Sequence, residues 1–349
     1  MSLRNLTAYA SRLGPNFILR RLTIFQAFLY LTHRCNLRCL YCNFPYQETS
    51  ELSTKQWLGV IDELVDLGCR RVTLLGGEPL LRPDLPNLLR HARRRGLVCV
   101  LATNGILVPK MIQILRPLQT LVISLDAAGP ANDEVRGQGV FAAVERAIIA
   151  AGEAQIPVKL NAVLSAGTAS ELEGLLRFVA SHDLALTINV VRSGDQDLWR
   201  EARRIKPEDG EIRKLLLGIA GQAARNPRLL ISPESYRYAS LWRDYSKDRY
   251  EAGEMDPSDP LLLGAPTCRA GRSYLSIDAD GEAYPCVTTF GKVCGGNVLA
   301  KGIKGCWGAL WEHPCLTCFS PCLVELNNLF SFNLRVIARF ARSHLRRYS

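Results

Sequence analysis

The stretch of this sequence best suited to chemistry is "RCNLRCLYC", which places Cys35, Cys39 and Cys42 within eight residues. Thiols this close together are typical of ligands to one metal centre. A structural zinc ion normally takes four protein ligands, and this loop offers three. A 4Fe–4S cluster with three protein thiolates would instead keep one iron open to an outside ligand. The spacing therefore favours a reactive cluster on this loop.

The elements that position these cysteines follow a repeating pattern. Short apolar runs alternate with amphipathic stretches, and the runs cover residues 27–32, 71–75, 97–103, 120–126, 158–164 and 184–191. They are continuous and rich in Val, Ile and Leu, which is typical of parallel strands buried on both faces. Six βα units in a row predict an α/β fold, an incomplete (β/α)6 parallel TIM-like barrel.

Chemistry in such barrels lies at the carboxyl ends of the strands, and the unusual residues of this chain lie there. The three cysteines follow the first predicted strand. The other candidates follow the later strands or lie at or near their ends: Gly76, Gly77, Glu78, Pro79, Asn104, Ser124, Asp126 and Asn161. The sequence therefore predicts one site at one rim of the barrel.

A second cysteine-rich region spans residues 263–325. The segment from Cys268 to Cys286 predicts a β-hairpin, with Asp280-Gly281 as its turn, that returns the second cysteine towards the first. A later run, "CLTCFSPC", adds Cys315, Cys318 and Cys322. Zinc remains an alternative here, since C-x2-C pairs also bind zinc. Four other cysteines are interpreted as ordinary thiols: Cys69 and Cys99 in the core, and Cys294 and Cys306. Completion of a second cluster is the alternative for Cys294 and Cys306.

Three motifs together resemble the radical S-adenosylmethionine (SAM) superfamily. They are C-x3-C-x-Tyr-Cys, Gly-Gly-Glu-Pro after the second strand and Ser-Leu-Asp on the fourth, and the barrel domain they define is residues 26–194. The resemblance implies that Cys35, Cys39 and Cys42 bind a 4Fe–4S cluster whose open iron is chelated by SAM. One electron, expected from a reduced flavodoxin or ferredoxin, then cleaves SAM to methionine and a 5′-deoxyadenosyl radical. That radical takes a hydrogen atom from the substrate.

The same resemblance implies SAM contacts for the residues of the rim. Gly76 and Gly77 lack a Cβ and let backbone approach the methionine amine, near which Glu78 would add a carboxylate. Pro79 would stiffen that turn. Ser124 and Asp126 suit the ribose hydroxyls, Tyr41 could pack on the adenine, and Asn104 and Asn161 face the same mouth. Ordinary turn chemistry remains an alternative for Gly-Gly-Glu-Pro and Asn104, and a hydrogen-bonded residue of the barrel is the alternative for Asn161.

One further residue of the barrel region matches a motif only in part. Arg136 lies in "NDEVRG", where many relatives carry His-Asp-x-x-Arg-Gly. Asn132 replaces the His here, so any role of Arg136 rests on this partial match alone.

The cysteine order of the second region resembles the SPASM or twitch extension of radical SAM enzymes. That resemblance implies auxiliary iron–sulfur chemistry. The full seven-cysteine pattern is missing, so we expect one auxiliary 4Fe–4S cluster. Cys268 and Cys286 are the firmest ligands, with two or three more from Cys315, Cys318 and Cys322.

Composition bounds the location and partners of the chain. Of its 349 residues 48% are hydrophobic, and neither a signal peptide nor an 18-residue apolar run is found, which favours a cytoplasmic protein.

The net charge is +10, and residues 326–349 predict a basic amphipathic helix with the Arg stripe Arg335, Arg339, Arg342 and Arg346. That helix either docks on the barrel or lies on an anionic membrane, as an N-terminal amphipathic segment (1–25) could also do. Nucleic-acid binding is not expected. Residues 195–262 predict a helical linker or cover.

Three functions are weighed. The first is a radical SAM enzyme acting on a peptide or protein side chain, the second the same chemistry on a lipid or other membrane-associated small molecule. The third is a non-catalytic zinc-binding interaction protein. Only 34 residues precede Cys35, so we expect no N-terminal peptide-binding domain, although a separate protein could supply one.

Overall fold

A single nine-stranded sheet organises the computed structural model, which describes residues 23–192 and 202–348, the last six by backbone alone. Six strands are parallel and adjacent in chain order: β1 (Gln26–Tyr30), β2 (Arg71–Leu75), β3 (Val98–Thr103), β4 (Thr120–Ser124), β5 (Val158–Leu164) and β6 (Ala185–Val190). The helices between them are α1 (Thr54–Asp66), α2 (Leu85–Arg94), α3 (Val108–Leu115), α4 (Pro130–Arg136), α5 (Val140–Glu153) and α6 (Leu172–Ser181). The predicted (β/α)6 arrangement is confirmed.

Helix α1 shows how the local sequence fixes these units. Ser53 caps it, because its side chain accepts the Gln56 N–H while the Gln56 side chain accepts the Ser53 N–H at 2.8 Å. Four apolar residues at helical spacing pack into the core: Trp57, Val60, Ile61 and Leu64. The helix ends before Gly68, which has a φ of 96° that favours glycine. A capping serine and a closing glycine thus bound the helix at its two ends.

Strands β5 and β6 differ from the rest of the barrel. Their exposure alternates, with Lys159, Asn161, Thr187 and Asn189 half-buried and the residues beside them on the other face buried. The prediction of uniformly buried strands is therefore wrong for these two. One face of each strand packs into the hydrophobic core, whereas the other face carries the half-buried polar side chains.

The segment after β6 covers the edge of the barrel. It contains α7 (Ala202–Ile205), α8 (Asp209–Arg225), α9 (Pro233–Ser240), β7 (Arg249–Glu251) and α10 (Pro260–Leu263). The chain between α8 and α9 pairs with β6: the Leu186 N–H donates to the Arg228 carbonyl and the Leu230 N–H to the Leu186 carbonyl, both at 2.9 Å. The edge of β6 is thus satisfied by this cover.

The predicted hairpin extends the sheet of the barrel. Its strands are β8 (Tyr274–Ile277) and β9 (Glu282–Tyr284), and β8 pairs in parallel with β1. The remaining elements are β10 (Gly296–Asn297), α11 (Val298–Leu310) and β11 (Cys315–Cys318), which pairs with β7. A side-chain contact adds to the link, since a ring nitrogen of His33 lies 2.7 Å from Asp278. The cysteine-rich region is therefore fixed to the side of the barrel that carries β1.

The C-terminal region consists of two helices, α12 (Pro321–Phe330) and α13 (Leu334–Tyr348). The predicted single helix over 326–349 is interrupted at Phe332, whose φ is 62°. In α13, Val336 is buried and Arg339 donates to the carbonyls of Asn226 (3.3 Å) and Leu229 (2.9 Å). One arginine of the predicted stripe thus binds the protein itself.

Two membrane-related predictions can be placed on the structure. Within residues 23–192 and 202–348, no helix combines the length and apolar character needed to cross a membrane. The predicted N-terminal amphipathic segment lies outside the described residues except for 23–25.

Candidate active site

The loop after β1 carries three half-buried thiols, Cys35, Cys39 and Cys42. The Cys42 N–H donates to the Cys39 carbonyl at 2.9 Å, and the Leu37 N–H contacts the Cys35 sulfur at 3.4 Å. Burial raises the pKa of Cys42 to about 12, and the charges of Cys39 and Cys35 add to this increase. The three sulfurs therefore lie within electrostatic reach of one another, as the spacing predicts.

The glycine turn after β2 packs directly against the start of this loop. The Gly77 N–H donates to the Thr32 carbonyl at 2.7 Å, and the Glu78 N–H to the Arg34 carbonyl at 2.8 Å. A Cβ on Gly76 would lie 2.3 Å from the Thr32 oxygen, and one on Gly77 2.3 Å from the Arg34 oxygen. Only glycine fits at these two positions. The two glycines therefore bring the turn against the backbone of residues 32–34, immediately before Cys35, and the backbone approach to the methionine amine stays a prediction.

The Glu78 carboxylate is buried and fully engaged with the protein. It accepts the Thr103 hydroxyl (2.9 Å), the Asn104 N–H (2.8 Å) and the Leu80 N–H (3.0 Å). Burial raises the pKa of Glu78 to about 7. Pro79, also buried, opens the short 3-10 turn that follows. Glu78 therefore ties the end of β2 to the end of β3.

Asn104 brings the end of β3 to the cysteines. Its Nδ2 donates to Asn36 Oδ1 at 2.7 Å and lies 3.9 Å from the Cys35 sulfur. Its Oδ1 accepts the Ile106 N–H. Two of the predicted rim residues contact the cysteine loop through their side chains. Asn104 does so through Asn36 and Cys35, and Asp126 through the Tyr41 hydroxyl.

Asp126 and Tyr41 form a buried pair beneath the loop. The Tyr41 hydroxyl donates to Asp126 at 2.8 Å, and the Val163 N–H donates to the same carboxylate at 2.8 Å. Arg136 adds two further bonds, at 2.7 and 3.0 Å. Asp126 is 0% exposed, so its carboxylate is enclosed by protein donors.

Ser124 and Asn161 are neighbours in the register of β4 and β5, and both are half-buried. The Asn161 oxygen accepts the Thr187 hydroxyl at 2.8 Å and the Asn189 amide at 3.3 Å. Thr187 and Asn189 were missed by the sequence reasoning. Their spacing of two residues within the otherwise apolar run "LALTINVV" was the signal that could have found them.

The second thiol group joins cysteines from three segments: Cys268, Cys286, Cys315 and Cys318. Burial raises the pKa of Cys318 well above its usual range, and the charges of Cys286 and Cys268 add to this. A hydrogen bond from Cys315 lowers the pKa of Cys268, and His313 also contacts that thiol. His313 is a neighbour that the sequence reasoning missed.

The other cysteines have contacts of their own. Cys322 contacts the Ser320 hydroxyl at 3.3 Å, and its N–H reaches the Asn189 oxygen at 3.4 Å. Cys294 is exposed and contacts Glu282, while Cys306 contacts the Gly296 carbonyl. Two more are buried in the barrel core, as expected: Cys69 and Cys99.

Both thiol groups fit iron–sulfur clusters by their donor chemistry. All twelve cysteines are free, and thiolates are the donors that hold such clusters. In the part of the chain that the structure describes, no three His, Cys, Asp or Glu side chains meet at the spacing of a single-ion site. The first group offers three thiols and the second four.

Comparison with known proteins gives consistent matches. The profile of the radical SAM superfamily matches residues 29–179. The chain is 38% identical over 316 residues to the PqqA peptide cyclase of Streptomyces rochei, covering 82% of this chain and 79% of that protein. It is 28% identical over 284 residues to the mycofactocin maturase MftC of Mycobacterium ulcerans, covering 78% and 71%.

Among solved structures, the fold is similar to that of SuiB from Streptococcus suis, determined with its precursor peptide SuiA. The TM-score is 0.61 at 19% sequence identity, with 87% of this chain and 69% of SuiB covered. At this level of identity the similarity establishes the fold.

Proposed function

The chain belongs to the radical SAM superfamily, and on that premise we propose that it modifies a side chain of a peptide or protein by radical chemistry. Enzymes of this superfamily use a 4Fe–4S cluster and SAM. The observation that carries the proposal is the set of three half-buried thiols on one loop, at the carboxyl end of β1 and against the glycine turn of β2. We assign the cluster to Cys35, Cys39 and Cys42.

When bound, such a cluster supplies one-electron cleavage of SAM to methionine and a 5′-deoxyadenosyl radical, which takes a hydrogen atom from the substrate. The electron would come from a reduced flavodoxin or ferredoxin. The residues of this chain bind and orient. Asn104, which already donates towards Cys35, and the half-buried Ser124 and Asn161 are the side chains we assign to SAM.

The turn after β2 packs against the start of the loop that carries the cysteines; it consists of Gly76, Gly77, Glu78 and Pro79. Its glycines hold the backbone against the cysteine loop, and the buried Glu78 carboxylate fixes the backbone of Asn104. We therefore propose that Gly76 and Gly77 offer backbone groups to SAM, while Glu78 and Pro79 orient the turn.

We assign one auxiliary 4Fe–4S cluster to Cys268, Cys286, Cys315 and Cys318. The support is their mutual proximity and their burial between the hairpin and β11. Cys322, a fifth candidate from sequence, lies beside Asn189 on the barrel side and is left out of this assignment.

Two observations support a peptide or protein substrate. The relatives with the matches described above are named as a peptide cyclase and a maturase. The lipid alternative rested on the basic C-terminal helix, and Arg339 of that helix binds main-chain carbonyls of the protein.

The test traces the hydrogen atom that the 5′-deoxyadenosyl radical takes from the substrate. Anaerobically reconstituted protein, its iron and zinc counted, is incubated with SAM, dithionite and fractions from a perdeuterated culture of the source organism. One fraction holds peptides and proteins, and the other is a lipid extract. We expect deuterium in 5′-deoxyadenosine from the peptide fraction only, and its loss after that fraction is digested to free amino acids.

Other outcomes of the same experiment contradict the proposal. Deuterium transfer from the lipid extract would overturn the substrate class. Zinc in place of iron, with no 5′-deoxyadenosine, would favour a zinc-binding interaction protein.

A further inference from the structure

A closed ion-pair network lies beneath the cysteine loop, at the junction of β4 and α4. Arg136, the last residue of α4, is 6% exposed and binds Asp126 through two parallel bonds, Nε–Oδ2 at 2.7 Å and Nη2–Oδ1 at 3.0 Å. Bidentate Arg–carboxylate pairs fix geometry as well as charge. The pair therefore holds α4 rigidly against the end of β4.

The same network reaches the cysteine loop at four points. The Tyr41 hydroxyl donates to Asp126 Oδ2 at 2.8 Å, and the Arg136 guanidinium lies 5.6 Å from the centre of the Tyr41 ring. Along the backbone, the Leu40 N–H donates to the Val135 carbonyl at 3.0 Å, and the Cys39 sulfur lies 3.9 Å from the Arg136 carbonyl. These contacts fall on the three residues that end at Tyr41, immediately before Cys42.

The hydrogen-bond capacity of Asp126 is used within the protein. Oδ1 accepts from Arg136 Nη2 and from the Val163 N–H, and Oδ2 accepts from Tyr41 and from Arg136 Nε. Two carboxylate oxygens offer about four lone-pair sites, so none is left for a ribose hydroxyl. This argues against the direct SAM contact that the sequence suggested for Asp126.

We propose that Arg136 is a positioning residue that acts through Asp126 and Tyr41. Arg136 positions the half of the loop that carries Cys39 and Cys42. Their thiolates then face the same iron–sulfur cluster as the thiolate of Cys35. The inference rests on the proposed assignment of these cysteines to the SAM-binding cluster. It also gives Tyr41 and Asp126 a role in shaping the site rather than in touching the cofactor.

A matched ion pair elsewhere in the barrel provides the control. Arg82 is 5% exposed and binds Asp84 through two bonds, at 2.9 and 2.7 Å. Its other bonds go to the carbonyls of Leu31 and Leu52 and to Glu51. Arg82 thus has the burial and geometry of Arg136, but its hydrogen bonds go to residues outside the cysteine loop 35–42.

The experiment compares Arg136→Gln, Arg136→Lys and Arg82→Gln in reconstituted full-length protein. It measures iron content, the electron paramagnetic resonance spectrum with and without SAM, and KM and kcat for 5′-deoxyadenosine formation. For Arg136→Gln we expect the SAM-induced spectral change to be lost, or the KM for SAM to rise at least tenfold. Lys should restore this only partly, because an ammonium cannot make the bidentate contact. Arg82→Gln should lower Tm and keep the spectrum.

A double mutant separates positioning from direct contact. Because Asp126 and Arg136 act in one network, Asp126→Asn combined with Arg136→Gln should do little more than either alone. Independent, multiplicative increases in the KM for SAM would show that Asp126 binds SAM directly and would overturn the inference. So would an Arg136→Gln protein that only loses Tm, as Arg82→Gln does.

Two further measurements keep the test decisive. If Arg136→Gln does not fold, Tyr41→Phe removes one hydroxyl from the same network and should raise the KM for SAM several-fold; an unchanged KM would overturn the inference. Wild-type protein without iron at the first thiol group would instead contradict the proposed function.

Discussion

The two groups of cysteines in this molecule are built in opposite ways. Cys35, Cys39 and Cys42 come from one loop and are all half-buried. The second group joins the start of the hairpin, its end and β11, and three of its four thiols are buried: Cys286, Cys315 and Cys318.

This difference distinguishes an open site from a closed one. Three thiols on a contiguous loop approach a cluster from one side and leave the other side to a ligand. Four thiols from separate segments surround a centre and complete its coordination with protein. The first arrangement suits chemistry on a bound molecule, and the second suits structural support or electron storage.

The largest expected effect comes from removing the open site. Replacing Cys35, Cys39 and Cys42 by Ala should abolish 5′-deoxyadenosine formation and leave about four of about eight irons per chain, because the second group is untouched. Iron, sulfide and nucleoside are measured anaerobically beside wild type. Nucleoside formation by the triple variant would contradict the assignment.

The next test asks which thiols close the second site. Cys286→Ala combined with Cys318→Ala should lower iron from about eight to about four per chain. Cys322→Ala is the matched control, since we leave Cys322 out of the proposed ligand set, and it should keep all the iron. Loss of iron from Cys322→Ala would show that the auxiliary cluster uses this residue instead.

A smaller effect is expected from the packing beneath the open site. Gly77→Ala should destabilise the protein by roughly 3 kcal/mol, because its Cβ would overlap main-chain oxygens and the backbone must move. Gly218→Ala, at an exposed position inside α8 with nothing within 4 Å, should stabilise by about 0.5–1 kcal/mol. Urea unfolding of both variants measures the two effects. Equal stability of the two would mean that the turn can separate from the cysteine loop at no cost.

The smallest effect concerns pH. The pKa of Glu78 rises on folding from 4.5 to about 7, so the stability that Glu78 contributes is present below pH 4.5 and is lost as pH rises to about 7. Raising the pH from 6 to 8 should therefore destabilise wild type relative to Glu78→Gln by about 1 kcal/mol. The difference in free energy of unfolding between the two proteins at each pH measures this. A difference that does not change with pH would show that Glu78 is already ionised at pH 6.

Much of the first region could be predicted from the sequence. The strands, the cap at Ser53 and the hairpin turn at Asp280-Gly281 depend on residues close in the chain, and all are present. The need for glycine at positions 76 and 77 also holds, although the backbone that they approach is that of the cysteine loop.

The hydrogen-bond partners of the carboxylates could not be predicted in this way. Glu78 and Asp126 were expected at the cofactor because both follow strands at the active rim. Their environment depends on donors 25 and 37 residues away, Thr103 for Glu78 and Val163 for Asp126. No local pattern indicates whether a rim carboxylate points into the site or into the protein.

The sequence by itself determined the barrel and the open thiol group. Hydrophobic pattern and thiol spacing act over a few residues, so they do not depend on how distant elements pack. Only the tertiary structure decided which four of the later cysteines meet and that Arg136 lies beneath the loop. Those contacts join segments separated by tens of residues, and they exist because β8 pairs with β1, β11 with β7, and α4 folds back against the cysteine loop.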